Sequence, residues 1–319
     1  MRAALLMDPA LVPFVFDADA QARLRALVRV EQDAVTSVAG IRDPSGVELL
    51  IAGWGATIGA GDLDALPALR GIVHWSGGNG ALDGPAQARG IRISTAKAAN
   101  AIPVAEFTLA MITLAAKDAF WASRLYTSEQ RFIDREAELP DTGLYGTTVG
   151  IVGASTIGRL VVQKLRDIDV HVLVYDPYAT AADAEALGAE LVDDLAALAA
   201  RADVLSIHAP EMPSTLGMIS AEVLAALPDG ATVINTARGG LMDQDALVEQ
   251  LQRGRLRAIL DVTEPDPLPT GHPLYDLPNA FLTPHLAGSM GNELRRLGEV
   301  ALAEVERFVA GAPFAHPAP

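Results

Sequence analysis

Short, largely apolar runs alternate with amphipathic stretches along almost the whole chain. The runs Ala3 to Met7, Val47 to Ala52, Gly71 to Trp75 and Ile91 to Ser94 have the length of strands buried on both faces. Helical periodicity separates them, over Ala18 to Val28, Ala65 to Leu69 and Pro85 to Arg89. A second series follows: Thr148 to Val152, Val170 to Tyr175, Val204 to His208, Thr232 to Asn235, Ile259 to Val262 and Ala280 to Leu282. Between the two series, a helical pattern opens at Pro103 and extends from Val104 to about Ser128, with Phe107, Met111, Leu114 and Ala115 on its apolar side. Its length suits a connector between domains. The polar run that continues to Gly146 predicts a loop or an arm reaching a partner subunit. A last helix, from about Asn292 to Val309, places Leu294, Leu297, Ala301, Val305 and Phe308 on one side, and a frayed Pro/Ala tail is expected beyond it. Strand–helix alternation of this kind predicts an α/β fold of parallel sheets with helices on their faces.

One stretch, Thr147 to Tyr178, carries more information than the rest. A buried strand pattern is followed by Gly153-Ala154-Ser155-Thr156-Ile157-Gly158, then by a helix with Leu160, Val161, Leu165 and Ile168 on its apolar side. A second strand pattern then ends at Asp176. This is the layout of a dinucleotide-binding βαβ unit. Gly153 permits a tight exit from the strand, and Gly158 lets the helix pack close to the sheet. The helix N-terminus offers N–H groups and a positive dipole end to a pyrophosphate. Asp176 falls where a carboxylate accepts hydrogen bonds from both ribose hydroxyls. The middle glycine of the fingerprint is Ser155, whose Cβ crowds the pyrophosphate and whose hydroxyl is a donor to a phosphate oxygen. A tight strand–helix turn with no ligand has the same glycine string.

Composition narrows the class. With 319 residues the chain can bury a large core and is expected to form two domains. A formal net charge of −16 argues against nucleic acid and against an anionic membrane surface. No cysteine is present, which removes disulfides, thiolate metal sites and a thiol nucleophile. No segment is expected to reach the length of a membrane span. The first residues, with one Arg followed by acids and prolines, do not read as a signal peptide, and a cytoplasmic protein is expected.

The remaining polar features fall just past predicted strand ends. Ser76-Gly77-Gly78-Asn79-Gly80 follows the third strand, where a glycine-dense turn exposes N–H groups to an anion. His74 beside it reads as a packed strand histidine, and Trp54, between Gly53 and Gly55, as a loop residue covering the core rim. In the second series Arg238, Asp261, the turn Glu264-Pro265-Asp266-Pro267 and His285 follow successive strands. An Arg clamps a substrate carboxylate in bidentate fashion. A His exchanges a proton with a carbonyl or hydroxyl oxygen, and a neighbouring acid orients the imidazole and favours its charged form. Together they suit carbonyl–hydride exchange at a nicotinamide.

The stretches VAEFTLAMI, TVGIVGASTIGR, VYDPY, INTARGGLMDQDALVEQL, AILDVTEPDPLPTGHPLYDLPN and FLTPHLAG resemble the D-isomer-specific 2-hydroxyacid dehydrogenases. The resemblance covers nearly the whole chain. It implies two doubly wound parallel-sheet domains, with a Rossmann-type NAD-binding domain (101–287) inserted in a flavodoxin-like substrate domain (1–100 plus 288–319). It also implies NAD as cofactor, reversible reduction of a small 2-keto acid to a D-2-hydroxy acid, no metal, and a homodimer joined through the NAD-binding domain. Arg238 looks like the family's substrate-binding arginine and His285 like its proton donor. Asp266 stands where the family has a glutamate, one methylene shorter, with Glu264 two residues upstream. Gly77 and Gly78 fall on the substrate-carboxylate loop. Thr156, Ile157, Asp176, Pro177, His208, Ala209, Pro210, Thr236, Ala237, Asp261 and Gly288 fall on cofactor contacts, beside Gly153, Ser155 and Gly158. Substrate side-chain specificity is expected in loops of the first domain such as Gly53 to Gly55. The alternative is a protein on the same fold that senses NAD(H) and turns over little.

Overall fold

The computed structural model describes residues 1–77 and 80–318, so Gly78 and Asn79 of the substrate-loop expectation lie outside the described residues. The chain forms two compact units, Met1–Asn100 with Ser289–Pro319, and Ala101–Gly288.

The first unit holds β1 (Arg2–Leu6), β2 (Arg29–Val30), β3 (Leu49–Ala52), β4 (Gly71–His74) and β5 (Arg92–Thr95). They form a parallel sheet in the order β2-β1-β3-β4-β5. The two-residue β2 lacks the apolar run that marks the other strands. Leu49, Leu50 and Ile51 are fully buried, because both faces of the sheet are covered. One core joins Leu49, Ile51 and Val73 to Leu297, Ala301, Val305 and Phe308 of the last helix, Leu294–Val309. The other joins Leu6, Leu50 and Ile72 to Leu63, Leu82 and Ala86. Each such side chain contributes about 1.5–3 kcal/mol as an upper estimate.

The second unit holds β6 (Thr148–Val152), β7 (His171–Tyr175), β8 (Glu190–Leu191), β9 (Val204–Ile207), β10 (Thr232–Asn235), β11 (Arg257–Leu260) and β12 (Ala280–Leu282). Their order is β12-β11-β10-β9-β6-β7-β8, again parallel. The order reverses between β6 and β9, the switch point outside which doubly wound sheets bind ligands.

Several expectations change. The helix expected from Val104 to Ser128 is two helices, Lys97–Ala116 and Ala119–Glu129, separated at Asp118, whose φ of 50° is left-handed. Pro103 lies inside the first of them instead of opening it. That helix is also long and apolar enough, by length and composition, to cross a membrane, contrary to expectation. Half of its apolar window is buried; Ala105, Met111, Ile112 and Ala115 pack on Val149 and Ile151 in the second unit's core. The helix expected over Ala65 to Leu69 is a 3-10 segment over Ala60–Ala65, and Pro85 lies inside the helix Gly80–Ala88. The tail is not frayed where described. It lies antiparallel to β5, with Thr95 N–H donating to the His316 carbonyl (3.0 Å) and Ala318 N–H to that of Ile93 (2.9 Å). An edge strand offers such unpaired groups. The buried Glu304 carboxylate fixes the approach by accepting from Ala315 N–H.

Two histidines at strand ends are buried. His74, closing β4, touches the Ser76 hydroxyl at 3.0 Å, and burial together with the nearby Lys97 ammonium lowers its pKa to about 4. His208, following β9, touches the Ser206 hydroxyl at 2.9 Å, and burial lowers its pKa to about 3. Both rings fold neutral and charge on unfolding, so the stability this gives is complete above pH 6.5 and is lost as pH falls towards 4 and below. The loss is about 3 kcal/mol for His74 and about 5 kcal/mol for His208 once the pH is below both values. The urea midpoint of the cofactor-free protein is therefore expected to fall through this interval. His208→Gln, which retains an amide able to reach Ser206, should flatten the curve; a slope equal to that of the wild type would remove His208 from this account.

Candidate active site

The register of the second sheet sets the site. Tyr175, Val152, Ile207, Asn235, Leu260 and Leu282 end six adjacent strands, and each is paired with its neighbour's last residue. The next residues, Asp176, Gly153, His208, Thr236, Asp261 and Thr283, therefore leave the sheet at one level, about 4.8 Å apart from strand to strand.

At the switch point the chain turns at Gly153, with φ of +98°. A Cβ on Gly153 would stand 2.7 Å from the Ala209 nitrogen, and one on Gly158 would stand 2.0 Å from the Gly153 carbonyl oxygen. The turn is thus closed by backbone packing that side chains would prevent. Ser155 caps the helix Thr156–Leu165. Its hydroxyl accepts from Gly158 N–H (3.3 Å) and donates to the His208 carbonyl (2.8 Å). Its one hydrogen is thereby used within the protein, so the expected donation to a phosphate gives way to a capping role. Helix geometry leaves the N–H groups of Thr156 and Ile157 unpaired within the helix. The Asp176 carboxylate accepts from Ala154 N–H (2.7 Å) and Tyr178 N–H (2.8 Å), one per oxygen, and each oxygen keeps a lone pair. Pro177 follows it and is exposed. The His208 ring is turned into the protein, so only the backbone and the neighbouring Ala209 and Pro210 can meet a ligand.

On the other side of the switch point lies a set of polar anchors. Asn235, fully buried, accepts from Ala237 N–H (3.0 Å) and donates to the Arg238 carbonyl (2.8 Å). The Thr236 hydroxyl meets that of Thr108 at 2.9 Å. The Arg238 side chain is exposed, with one N–H on the Ala237 carbonyl (2.6 Å), and no carboxylate among the described residues pairs with it. The buried Asp261 carboxylate accepts from the Thr283 hydroxyl (2.6 Å), Leu286 N–H (2.8 Å) and Ala287 N–H (2.9 Å), which leaves one lone-pair position. Its carbonyl also accepts from His285 N–H at 3.0 Å. His285 is held at φ of 53°, a left-handed conformation costing about 1 kcal/mol that this cradle offsets. Gln244 grips Glu264 by both backbone groups (2.9 and 3.1 Å), fixing the turn before Asp266. The outcome is a pair: Asp266 Oδ2 lies 3.0 Å from His285 Nδ1. The shorter acid reaches the imidazole, and Glu264 does not share the contact. With Nδ1 directed at Asp266, Nε2 is the nitrogen left for a reacting group.

Residues 109–287 match the description D-isomer specific 2-hydroxyacid dehydrogenase, NAD binding domain. The chain belongs to the D-isomer specific 2-hydroxyacid dehydrogenase family. It is 36% identical over 259 residues to D-3-phosphoglycerate dehydrogenase of Mycobacterium leprae, which covers 80% of this chain and 48% of that protein. The chain thus spans about half the length of that relative. Among solved structures, apo D-mandelate dehydrogenase of Rhodotorula graminis aligns with a TM-score of 0.84 at 25% identity, over 100% of this chain and 97% of that one. D-lactate dehydrogenase of Aquifex aeolicus, complexed with NAD and lactic acid, aligns with a TM-score of 0.76 at 27% identity, over 96% of each chain.

For a member of this 2-hydroxyacid dehydrogenase family, the glycine turn, the open helix N-terminus and the unspent lone pairs of Asp176 fit a dinucleotide, and NAD is the cofactor of the matched domain. Gly288, half-buried, falls in the second unit, and Gly77 lies on the edge of the first unit's own sheet. A Cβ on Gly77 would meet nothing within 4 Å, so close packing does not require glycine there. The cleft lined by Arg2, Arg29, Glu31 and Asp43 lies at the amino ends of β1 and β2, and Arg2 and Arg29 are paired with its carboxylates. Residue-type reasoning missed Asn235 and Gln244, although both stand in the quoted INTARGGLMDQDALVEQL stretch. Their signal was a polar residue closing an apolar strand and one opening the next helix. Asp266→Asn is expected to lower kcat/KM for keto-acid reduction by about 10- to 100-fold, and Glu264→Gln to change it by no more than about threefold. Steady-state kinetics of the two variants check this, and the reverse pattern would give the role to Glu264.

Proposed function

We propose that this protein reduces a small 2-keto acid to the D-2-hydroxy acid, reversibly and with NADH. The observation that carries the reading is the His285–Asp266 contact of 3.0 Å, on the same sheet edge as the free Arg238 guanidinium and the glycine turn. A bound nicotinamide supplies the hydride. Arg238 holds the substrate carboxylate with two parallel N–H donors. His285 gives a proton from Nε2 to the carbonyl oxygen in reduction and takes it back in oxidation. Asp266 accepts from Nδ1, which fixes the ring with Nε2 towards the reacting group. Asp261 and Asn235 keep the two loops in place. No observation favours an NAD(H) sensor without turnover.

A homodimer through the second unit fits the exposed Tyr126 (63%), Phe132 (82%) and Tyr145 (90%) on and after the helix Ala119–Glu129. Sedimentation velocity separates that state from a monomer. A cytoplasmic location, without partners of nucleic acid or membrane, accords with the charge of −16.

Oxidation of NADH by a panel of 2-keto acids tests the activity. NADH should exceed NADPH in kcat/KM by about 10- to 1,000-fold, because Asp176 repels a 2′-phosphate; equal values would remove Asp176 from ribose recognition. Arg238→Lys should lower keto-acid kcat/KM by roughly a hundredfold or more, with the NADH Kd within a few-fold, since an ammonium cannot reproduce the planar fork. Loss of NADH binding with keto-acid efficiency retained would assign Arg238 to the cofactor.

A further inference from the structure

We propose that Gln244 is a positioning residue for the His285–Asp266 pair: its side-chain amide, with the bare backbone of Gly239, holds the turn that carries Asp266 against the loop that carries Arg238. The proposal rests on the 2-keto acid reading above, and every residue it uses lies in the second unit.

The turn Glu264-Pro265-Asp266-Pro267 has little with which to hold itself. Proline has no N–H, so Glu264 and Asp266 are the only backbone donors of the four residues. One local bond supports the turn, from the Thr263 hydroxyl to the Pro265 carbonyl at 2.9 Å. The Asp266 side chain is 43% exposed and, among the described residues, its carboxylate has His285 as its one hydrogen-bond partner. Its aim therefore depends on how the backbone of the turn is anchored.

Two contacts supply the anchor, and both come from the segment after β10. The Gln244 amide pairs with Glu264 as a neighbouring strand would, Nε2 donating to the carbonyl (2.9 Å) and Oε1 accepting from the N–H (3.1 Å). At Gly239 a Cβ would stand 2.2 Å from the Thr263 carbonyl carbon and 2.7 Å from the Glu264 nitrogen, so the two backbones touch where no side chain fits. Gln244 is itself fixed, as the first residue of the helix Gln244–Gln252. The cap of that helix, Asp243, accepts from Ala246 N–H (3.0 Å) and donates its own N–H to the Ile219 carbonyl (3.0 Å), and Leu241 and Leu247 on either side are fully buried. Gly239 adjoins Arg238, whose carbonyl accepts from Asn235 (2.8 Å). One stretch of backbone, from Arg238 to Gln244, thus sets both the guanidinium and the acid. A displacement of the turn by about 1 Å is enough to break the hydrogen bond to His285.

The test reads the imidazole directly and then turnover. In the wild type, ¹⁵N NMR of His285 at a pH where the ring is neutral should show the proton on Nδ1, facing Asp266. In Gln244→Leu, which keeps the bulk and removes both bonds, the proton should pass mainly to Nε2, the tautomer that an unconstrained histidine favours. Gln244→Glu, which still accepts from Glu264 N–H, should lie between. In reduction of a 2-keto acid with NADH, Gln244→Leu should lower kcat about tenfold, with KM and the NADH Kd within about threefold. In an Asp266→Asn background the same substitution should cost no more than about twofold, because it acts through Asp266. A wild-type proton on Nε2, a tautomer unchanged in both Gln244 variants, or a further loss of about tenfold in the Asp266→Asn background overturns the proposal, while glyoxylate turnover upholds the keto-acid reading. The expected tautomer shift in a protein that reduces no 2-keto acid upholds the positioning and overturns that reading.

Discussion

Everything chemical in the second unit depends on strands that stop at the same level. Parallel pairing fixes their direction, and the register brings Tyr175, Val152, Ile207, Asn235, Leu260 and Leu282 into one row. Residues far apart in sequence, from Gly153 to His285, then share an edge because each lies one to six positions beyond a strand. A slip of one residue in any pair would move a loop by about 3.3 Å and turn its side chains to the other face of the sheet. The buried apolar runs oppose such a slip, since a shifted strand would carry polar end residues into the core.

Buried polar side chains convert that coarse placement into a finer one. Asn235 and Asp261 are each almost wholly removed from water; Asn235 spends its hydrogen-bonding capacity on the loop that follows it, and Asp261 on the loop that follows the neighbouring strand β12. Burying such groups unpaired would cost several kcal/mol, so the loops adopt the conformations that satisfy them. One consequence is the left-handed backbone at His285, which an isolated peptide would avoid. The reactive side chains are themselves exposed, while the groups that aim them are not. The same contrast separates the histidines, since His74 and His208 are neutral packing groups and His285 stands at the surface against Asp266.

The two sheets differ in what they present. The second offers donors at its edge: a guanidinium, an imidazole and the N–H groups of a helix. The first, past its strand β3, carries the Trp54 indole set edge to face on the buried Trp75, beside Asp8. A fold settles less than its sites do, because function lives in the side chains that the fold carries and loops vary more than the elements they join.

The sequence by itself determined the α/β alternation, ten of the strands to within about two residues, and the turn at Gly153 and Gly158, because buried strands and tight turns are set by local composition. It placed Arg238, Asp266 and His285 past strand ends for the same reason. It did not determine where the long connector breaks, because the left-handed Asp118 packs in the fold and its carboxylate pairs with Arg257, 139 positions away. Nor did it show that the tail pairs with β5, since an edge strand's open groups exist only once the sheet is built. Tertiary structure alone decided that Asp266, and not the longer Glu264, meets His285. It likewise decided that the Ser155 hydrogen goes to the His208 carbonyl and that Asp261 serves the loop carrying the imidazole. Each of these is a contact between segments distant in sequence, and only the register of the sheet brings the partners within hydrogen-bonding distance.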